Sequence, residues 1–213
     1  MDPTLLNSIL SRGPSQLNDM LEVTLRFRTY AECFGADMKK AYNTIHTGLV
    51  ERNLRRFVWK FSVDDQWRTF GINRVHFGEV NAANELECAK VKVCKIGEHI
   101  DGEAARKLIS DSYVDDIFSG GKSSSVNRMV GEKLADGSRA PGTVSSILAV
   151  GGFRVKEFVV EGDSDQSENN LLSNSVFGYS WDSRNGLLSL KFNLSLVKKT
   201  RSRKIRPVMK QGD

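Results

Sequence analysis

No apolar run in this 213-residue sequence approaches the roughly 18 residues that cross a bilayer. That argues against a membrane partner. The opening "MDPTLLNSILSRGPSQLND" has an early Asp2 and neither a basic lead nor a sustained apolar stretch, so it does not read as a secretory signal. Cysteine is scarce. Cys33, Cys88 and Cys94 are odd in number and lack metal-site spacing, which suits reduced thiols in the cytoplasm or nucleus. His46, His76 and His99 are scattered, and no zinc site or Ser–His–Asp triad can be drawn from them. What is present is 39% hydrophobic and 27% charged, the composition of a globular protein with a real core, in one large domain or two small ones.

Positive charge is unevenly placed. Residues 197–213, "VKKTRSRKIRPVMKQGD", hold seven Lys and Arg against one Asp, a net +6. The +5 of the whole chain therefore leaves the first 196 residues at −1. A basic tail on a neutral body favours a polyanion, most simply nucleic acid, or else is a solvated end.

Residues 15–29 place Leu17, Met20, Leu21, Val23 and Leu25 at mixed helical spacing. "YAECFGAD" then reads as a buried strand with Asp37 at its tip. Phe57–Phe61, a polar Asp64–Asp65 turn and Trp67–Val75 form a hairpin pattern. Beyond Gly78, the apolar positions Ala82, Leu86, Ala89 and Val93 mark one face of a helix, on which Cys88 and Cys94 read as small core residues. A short helix at "DGEAARKLI" leads to "DSYVDDIFSGG", two short strands with a turn at Asp115 and Asp116. A Ser-capped helix, an exposed "ADGSRAPG" loop, a helix at "TVSSILAV" stopped by Gly151–Gly152, and a strand at "FRVKEFVV" follow. A last strand pair turns at Arg184–Asn185–Gly186. Strands mixed with helices, without strict alternation, predict an α+β fold: an antiparallel sheet with helices on one face.

Gly121-Lys122-Ser123 looks like the end of a phosphate-binding loop. The glycine that such a loop needs five residues earlier is Asp116, which excludes it.

The chemistry lies in the acids. Asp115 and Asp116 sit among β-prone apolar residues, as an exposed turn or as a charged site. Asp37 ends a similar apolar strand, and an antiparallel sheet can bring that end beside the hairpin turn. Three carboxylates in a partly desolvated space stay ionised only beside cations. Hard oxygen donors of this kind suit Mg²⁺. Two such ions, about 3.5–4 Å apart, would serve phosphoryl transfer.

The order of these motifs carries a resemblance. Asp37-Met-Lys-Lys-Ala-Tyr42, Phe77-Gly78, Tyr113-Val114-Asp115-Asp116, "GGFRVK" and "VFGYSW" resemble the successive motifs of a retroelement reverse transcriptase palm. With "LRFRTYAECFGADMKKAY", "FVWKF", "VHFG" and "VGEKLADG", the chain looks most like the reverse transcriptases of BEL/Pao-type LTR retrotransposons, from about residue 13 to 200.

The resemblance implies an RNA-directed DNA polymerase core, a nucleotidyltransferase that adds dNTPs to a primer 3′-hydroxyl with two Mg²⁺ ions, or Mn²⁺ in their place. Asp37, Asp115 and Asp116 would be the catalytic, metal-binding acids, joined by the Met38 carbonyl. Tyr42 would be the ring that excludes a 2′-hydroxyl. Phe77 and Gly78 would lie against template and incoming base, Tyr113 beside the substrate, and Lys156 near the triphosphate. Phe177, Gly178, Tyr179 and Trp181 would grip the primer. The implied layout is a lead-in from the fingers at 1–28, a palm at 29–165 with a finger hairpin at 55–76, a primer-grip-like hairpin at 166–197, and a basic tail at 198–213. Fingers before residue 1, a thumb and RNase H after residue 213, and protease and integrase partners complete the picture. The partners would be an RNA or DNA template-primer and dNTPs. Duller readings stand beside these: Tyr42 and Trp181 as core aromatics, Lys156 as a solvated lysine, Gly78 as a helix opener. The segment after Gly78 also lacks the proline common there in the family. The alternative for the whole chain is an inactive retroelement relic that only binds nucleic acid.

Overall fold

The computed structural model describes residues 6–162, 175–176, 179–182 and 187–190. In chain order they form α1 (Leu6–Ile9), α2 (Met20–Phe27), β1 (Glu32–Met38), α3 (Ala41–Thr44), α4 (Leu49–Leu54), β2 (Arg56–Trp59) and β3 (Arg68–Gly71). Then come α5 (Ala82–Gly97), α6 (Gly102–Ser110), β4 (Ser112–Tyr113), β5 (Asp116–Gly121), α7 (Ser123–Val130), α8 (Thr143–Val150) and β6 (Val155–Val160). The last are β7 (Ser175–Val176), β8 (Tyr179–Asp182) and β9 (Leu187–Leu190). The architecture is α+β. Among the described residues no helix is long and apolar enough to cross a membrane.

The central sheet runs β4-β5-β1-β6, each neighbour antiparallel. Alternation along β1 explains its central place. Phe34, Ala36 and Met38 point to one core, with Ile117, Leu86, Val93, Leu108, Val126, Ile147 and Leu148. Cys33, just before them, points the other way, into a smaller core with Val23, Phe27, Phe118 and Trp181. A strand buried on both faces reads as a continuous apolar run, as "CFGA" does. At about 1.5–3 kcal/mol for each large apolar side chain removed from water, the larger core supplies most of the driving force.

The helices are not all on one face. The packing of α5 to α8 covers the larger core as expected, whereas α2 lies against the opposite face with Trp181. The reason lies in α2 itself. Asp19 caps it by accepting from the Leu21 and Glu22 N–H groups, so the helix starts at Met20, not at residue 15. Val23, Thr24 and Phe27 form its buried stripe, while Met20, Leu21 and Leu25 face out. Along α5, Cys94 is buried and Cys88 exposed. Six residues place them about 120° apart around the helix, so Cys88 is not the core residue that the sequence suggests. Close packing of α5 on α8 needs Gly97, where a Cβ would lie 2.9 Å from Ile147.

The hairpin β2–β3 forms its own two-stranded sheet. Its aromatics pack on one another, Phe57 on Phe70 and Phe61 edge-on to Phe70, yet Phe57, Trp59, Phe61 and Trp67 are exposed. Its base is anchored by a buried bidentate pair, Arg55 Nε and Nη2 to the two Glu79 oxygens at 2.6 and 2.5 Å.

Candidate functional site

The Asp115–Asp116 turn closes β4 onto β5, with Tyr113 paired to Asp116. Asp116 therefore opens β5 rather than sitting in the loop. One strand over, Asp37 is its direct cross-strand partner. The pairing of β1 with β6 sets Glu157 opposite Asp37 on the far side, just before a bulge at Asp37/Met38. Three strands thus align Asp116, Asp37 and Glu157 in a row, with Asp115 at the adjoining turn. Like charges directly opposite on a sheet repel, so this row is held against its own electrostatics.

The proton affinities record burial first and that repulsion after it. Burial, then Asp115, then Asp37 push the Asp116 carboxyl up to about 6. Asp115 is raised as well, chiefly by burial and next by Asp37, against its own backbone N–H and Lys90, which favour the charged form. No side-chain hydrogen bond reaches Asp116 among the described residues. Lys156, exposed on β6, has its Nζ 3.5 Å from Asp37 Oδ2.

Backbone strain gathers at the same place. Among the described residues, only Lys40 (φ 52°) and Val114 (φ 55°) are non-glycine residues with positive φ. One follows Asp37 by three residues and the other precedes Asp115. A β-branched residue in this region is a genuine outlier, costing on the order of 1–3 kcal/mol. At Val114 the geometry is held from two sides. The Met38 N–H donates to the Asp115 carbonyl at 3.0 Å. Lys90 Nζ donates to the Val114 carbonyl at 3.1 Å. At Lys40 the left-handed backbone turns the chain from β1 into α3, which carries Tyr42.

Tyr42 is half-buried and meets Phe77 edge-on, with centroids 4.9 Å apart. Its phenol is raised by burial first, then by Asp115 and Tyr113. These four residues, from three separate segments, therefore share one neighbourhood. Gly78 takes φ 86°, which glycine allows freely, and open space surrounds its would-be Cβ.

A basic cleft of about 540 Å³ begins just beyond the acids. Lys39, Lys40, Arg74, Arg154 and His46 line it with Gly151 and Gly152, and no carboxylate does. The Lys39 N–H donates to the Arg154 carbonyl at 2.8 Å, so the end of β1 and the lead into β6 form one wall. Single Lys and Arg residues in separate segments gave no signal of this cleft in the sequence.

The expected primer-gripping group lies largely outside the described residues. Phe177 and Gly178 lie outside the described residues, and Tyr179 falls within β8. Trp181 is 3% exposed, edge-on to Phe27 at 5.1 Å, with its ring 3.4 Å from where a Cβ on Gly35 would sit. Its ring belongs to the second core, in keeping with the core-aromatic reading given beside the primer contact. Two groups escaped the sequence reading: Glu157, which alternation along β6 could have flagged, and Lys90, which looked like an ordinary helix surface residue.

Whether this donor set suits a divalent ion is a question of chemistry. Among the described residues, no group of three or more His, Cys, Asp or Glu side chains closes into a ready metal cage. The fit is of another kind. Half-buried carboxylates with raised proton affinity, Asp115 met only by its own backbone N–H and Asp116 by no side-chain donor among the described residues, suit Mg²⁺, which takes one or two carboxylates and completes its shell with water and substrate phosphates. No protein-family model and no curated protein matches this chain.

Proposed function

We propose that this chain is the palm of an RNA-directed DNA polymerase of the reverse transcriptase type, similar to those of BEL/Pao LTR retrotransposons, extending a primer 3′-hydroxyl with dNTPs. The observation that carries the reading is the cross-strand meeting of Asp37 with Asp116, beside Asp115 at the turn. Seventy-eight residues separate the first acid from the second in sequence, and a repulsive gathering of this kind makes sense where a cation belongs.

Asp37, Asp115, Asp116 and the Met38 carbonyl would hold two Mg²⁺ ions. Bound there, the ions would activate the primer hydroxyl and stabilise the leaving pyrophosphate. The protein's own part is placement. Lys39, Lys40, Arg74 and Arg154 offer charge to the substrate phosphates from the adjoining cleft. Lys156, beside Asp37, adds a further cation. Tyr42, braced by Phe77, is the ring set to exclude a 2′-hydroxyl. The exposed aromatic and basic hairpin at β2–β3 and the basic segment 198–213 suit a nucleic-acid partner, by stacking and by phosphate pairing respectively.

The decisive experiment is primer extension on an RNA template with Mg²⁺, comparing the native chain with Asp115→Asn. Extension by the native chain alone is expected. Equal background from both overturns the polymerase reading, and retained template-primer binding in that case identifies a nucleic-acid-binding relic.

A further inference from the structure

Ionic side chains leave water completely only where something compensates them, and Lys90 leaves it completely. It lies at 0% exposure on α5, with its Nζ 2.7 Å from Glu87 Oε2 one turn earlier. Glu87 is equally hidden, and its Oε2 has no partner beyond that ammonium among the described residues. An ion pair of this spacing forms readily on the outside of any helix. A purely structural pair would be replaced by apolar side chains with little or no loss. What burial adds here is a second interaction, the hydrogen bond from Lys90 Nζ to the Val114 carbonyl.

That carbonyl belongs to the left-handed residue of the carboxylate turn. The β4–β5 ladder ends at Tyr113 and Asp116, so no strand supplies Val114 with a donor. The next carbonyl, of Asp115, is taken by the Met38 N–H. The two peptide planes that flank Asp115 are therefore fixed from different elements, one by α5 and the other by β1. Without the ammonium, an unsatisfied carbonyl and a strained β-branched residue would both favour relaxing the turn.

We propose that Lys90 is the positioning residue of the carboxylate site, its buried ammonium clamping the Val114 carbonyl and so aiming Asp115 at a divalent cation. The proposal rests on the polymerase reading for the cation. It adds that α5 sets the geometry in which the cation is met, with Glu87 holding the ammonium in place.

The test is Mn²⁺ binding to the full chain, read by electron paramagnetic resonance, with thermal unfolding to verify folding. Lys90→Met combined with Glu87→Gln removes both charges at similar volume. It is expected to unfold cooperatively and to bind Mn²⁺ about tenfold more weakly, the usual scale for loss of a group that orients a metal ligand. Adding Val114→Gly should bring affinity back to within about threefold of native, because glycine takes positive φ without a clamp. Native affinity in the double variant overturns the proposal. So does a loss that glycine does not restore, since Lys90 would then act through packing alone. Should the double variant not fold, nitrogen-15 NMR of lysine ammonium groups in the native chain decides. The Lys90 signal should move on adding Mg²⁺ and should stay still in Asp37→Asn, and a native signal unmoved at saturation overturns the clamp. A native chain that binds no Mn²⁺ removes the polymerase reading and this proposal together. Native binding with an unchanged double variant removes this proposal alone.

Discussion

Asp111 and Asp116 stand five residues apart on either side of one turn, and the fold treats them in opposite ways. Asp111 is fully buried and saturated. Its Oδ2 accepts from the Tyr30 hydroxyl at 2.7 Å and from Ser119 at 2.6 Å, and its Oδ1 from Ser110 at 2.8 Å and Arg26 at 3.2 Å. Asp116 is only half-buried, receives no side-chain hydrogen bond among the described residues, and faces Asp37 across the strand. The first acid is a structural hub that ties α2, α6 and β5 together. The second is left wanting a counter-charge. Burial therefore says little about the role of an acid. The number of donors aimed at it says much more.

The comparison breaks most visibly at Asp111. Asp111→Ala removes the acceptor shared by one guanidinium and three hydroxyls, and should cost about 3–5 kcal/mol in urea unfolding. A loss below about 1 kcal/mol would show that the hub is not one. At the other acid the expected effect is smaller and depends on the ion. Mg²⁺ at a hundredfold its dissociation constant should stabilise the native chain by about 2.7 kcal/mol. It should do so in neither Asp37→Asn nor Asp116→Asn, measured by the same unfolding curves. Equal protection of all three would place the ion elsewhere.

A milder test uses pH, in chelator. The Asp116 carboxyl is raised from 3.8 to about 6 by folding. Below 3.8 it is protonated in both states and costs nothing. As pH rises toward about 6, the unfolded chain ionises first, so this group's contribution to stability is progressively lost. Asp116→Asn should therefore overtake the native chain in melting temperature across that window, with the gap constant above it. A gap independent of pH would remove the repulsion argument. The gentlest change leaves both acids alone. Deleting residues 198–213 should flatten the salt dependence of nucleic-acid binding, by about 0.9 in log–log slope for each phosphate that the tail would otherwise neutralise. An unchanged slope would assign anion binding to the body of the protein, where the cleft beside Asp37 is the first place to look.

Much of the sheet was legible because local pattern and tertiary role agree. "CFGA" is apolar without interruption and became the strand buried on both faces. The Ala82, Leu86, Val93 stripe became the inner face of α5. Asp37 and the Asp115–Asp116 pair could be proposed as neighbours because each ends an apolar strand. The illegible part is what other elements bring. Nothing local distinguishes Lys90 from Lys92 or Lys95, yet Lys90 alone of the three is buried, because its angular position meets the underside of the turn. Trp181 could be read as exposed or buried until Phe27 and Gly35 were seen against it.

By itself the sequence determined the classes of element, the apolar strands that end in acids and the uneven charge, since each depends on residues within a few positions of one another. Only the tertiary structure decided the Asp37–Asp116 register, the two-sided cover of the sheet, and which charged groups are satisfied. Those outcomes depend on hydrogen-bond pairing and on burial between segments dozens of residues apart, which leave no periodic trace along the chain.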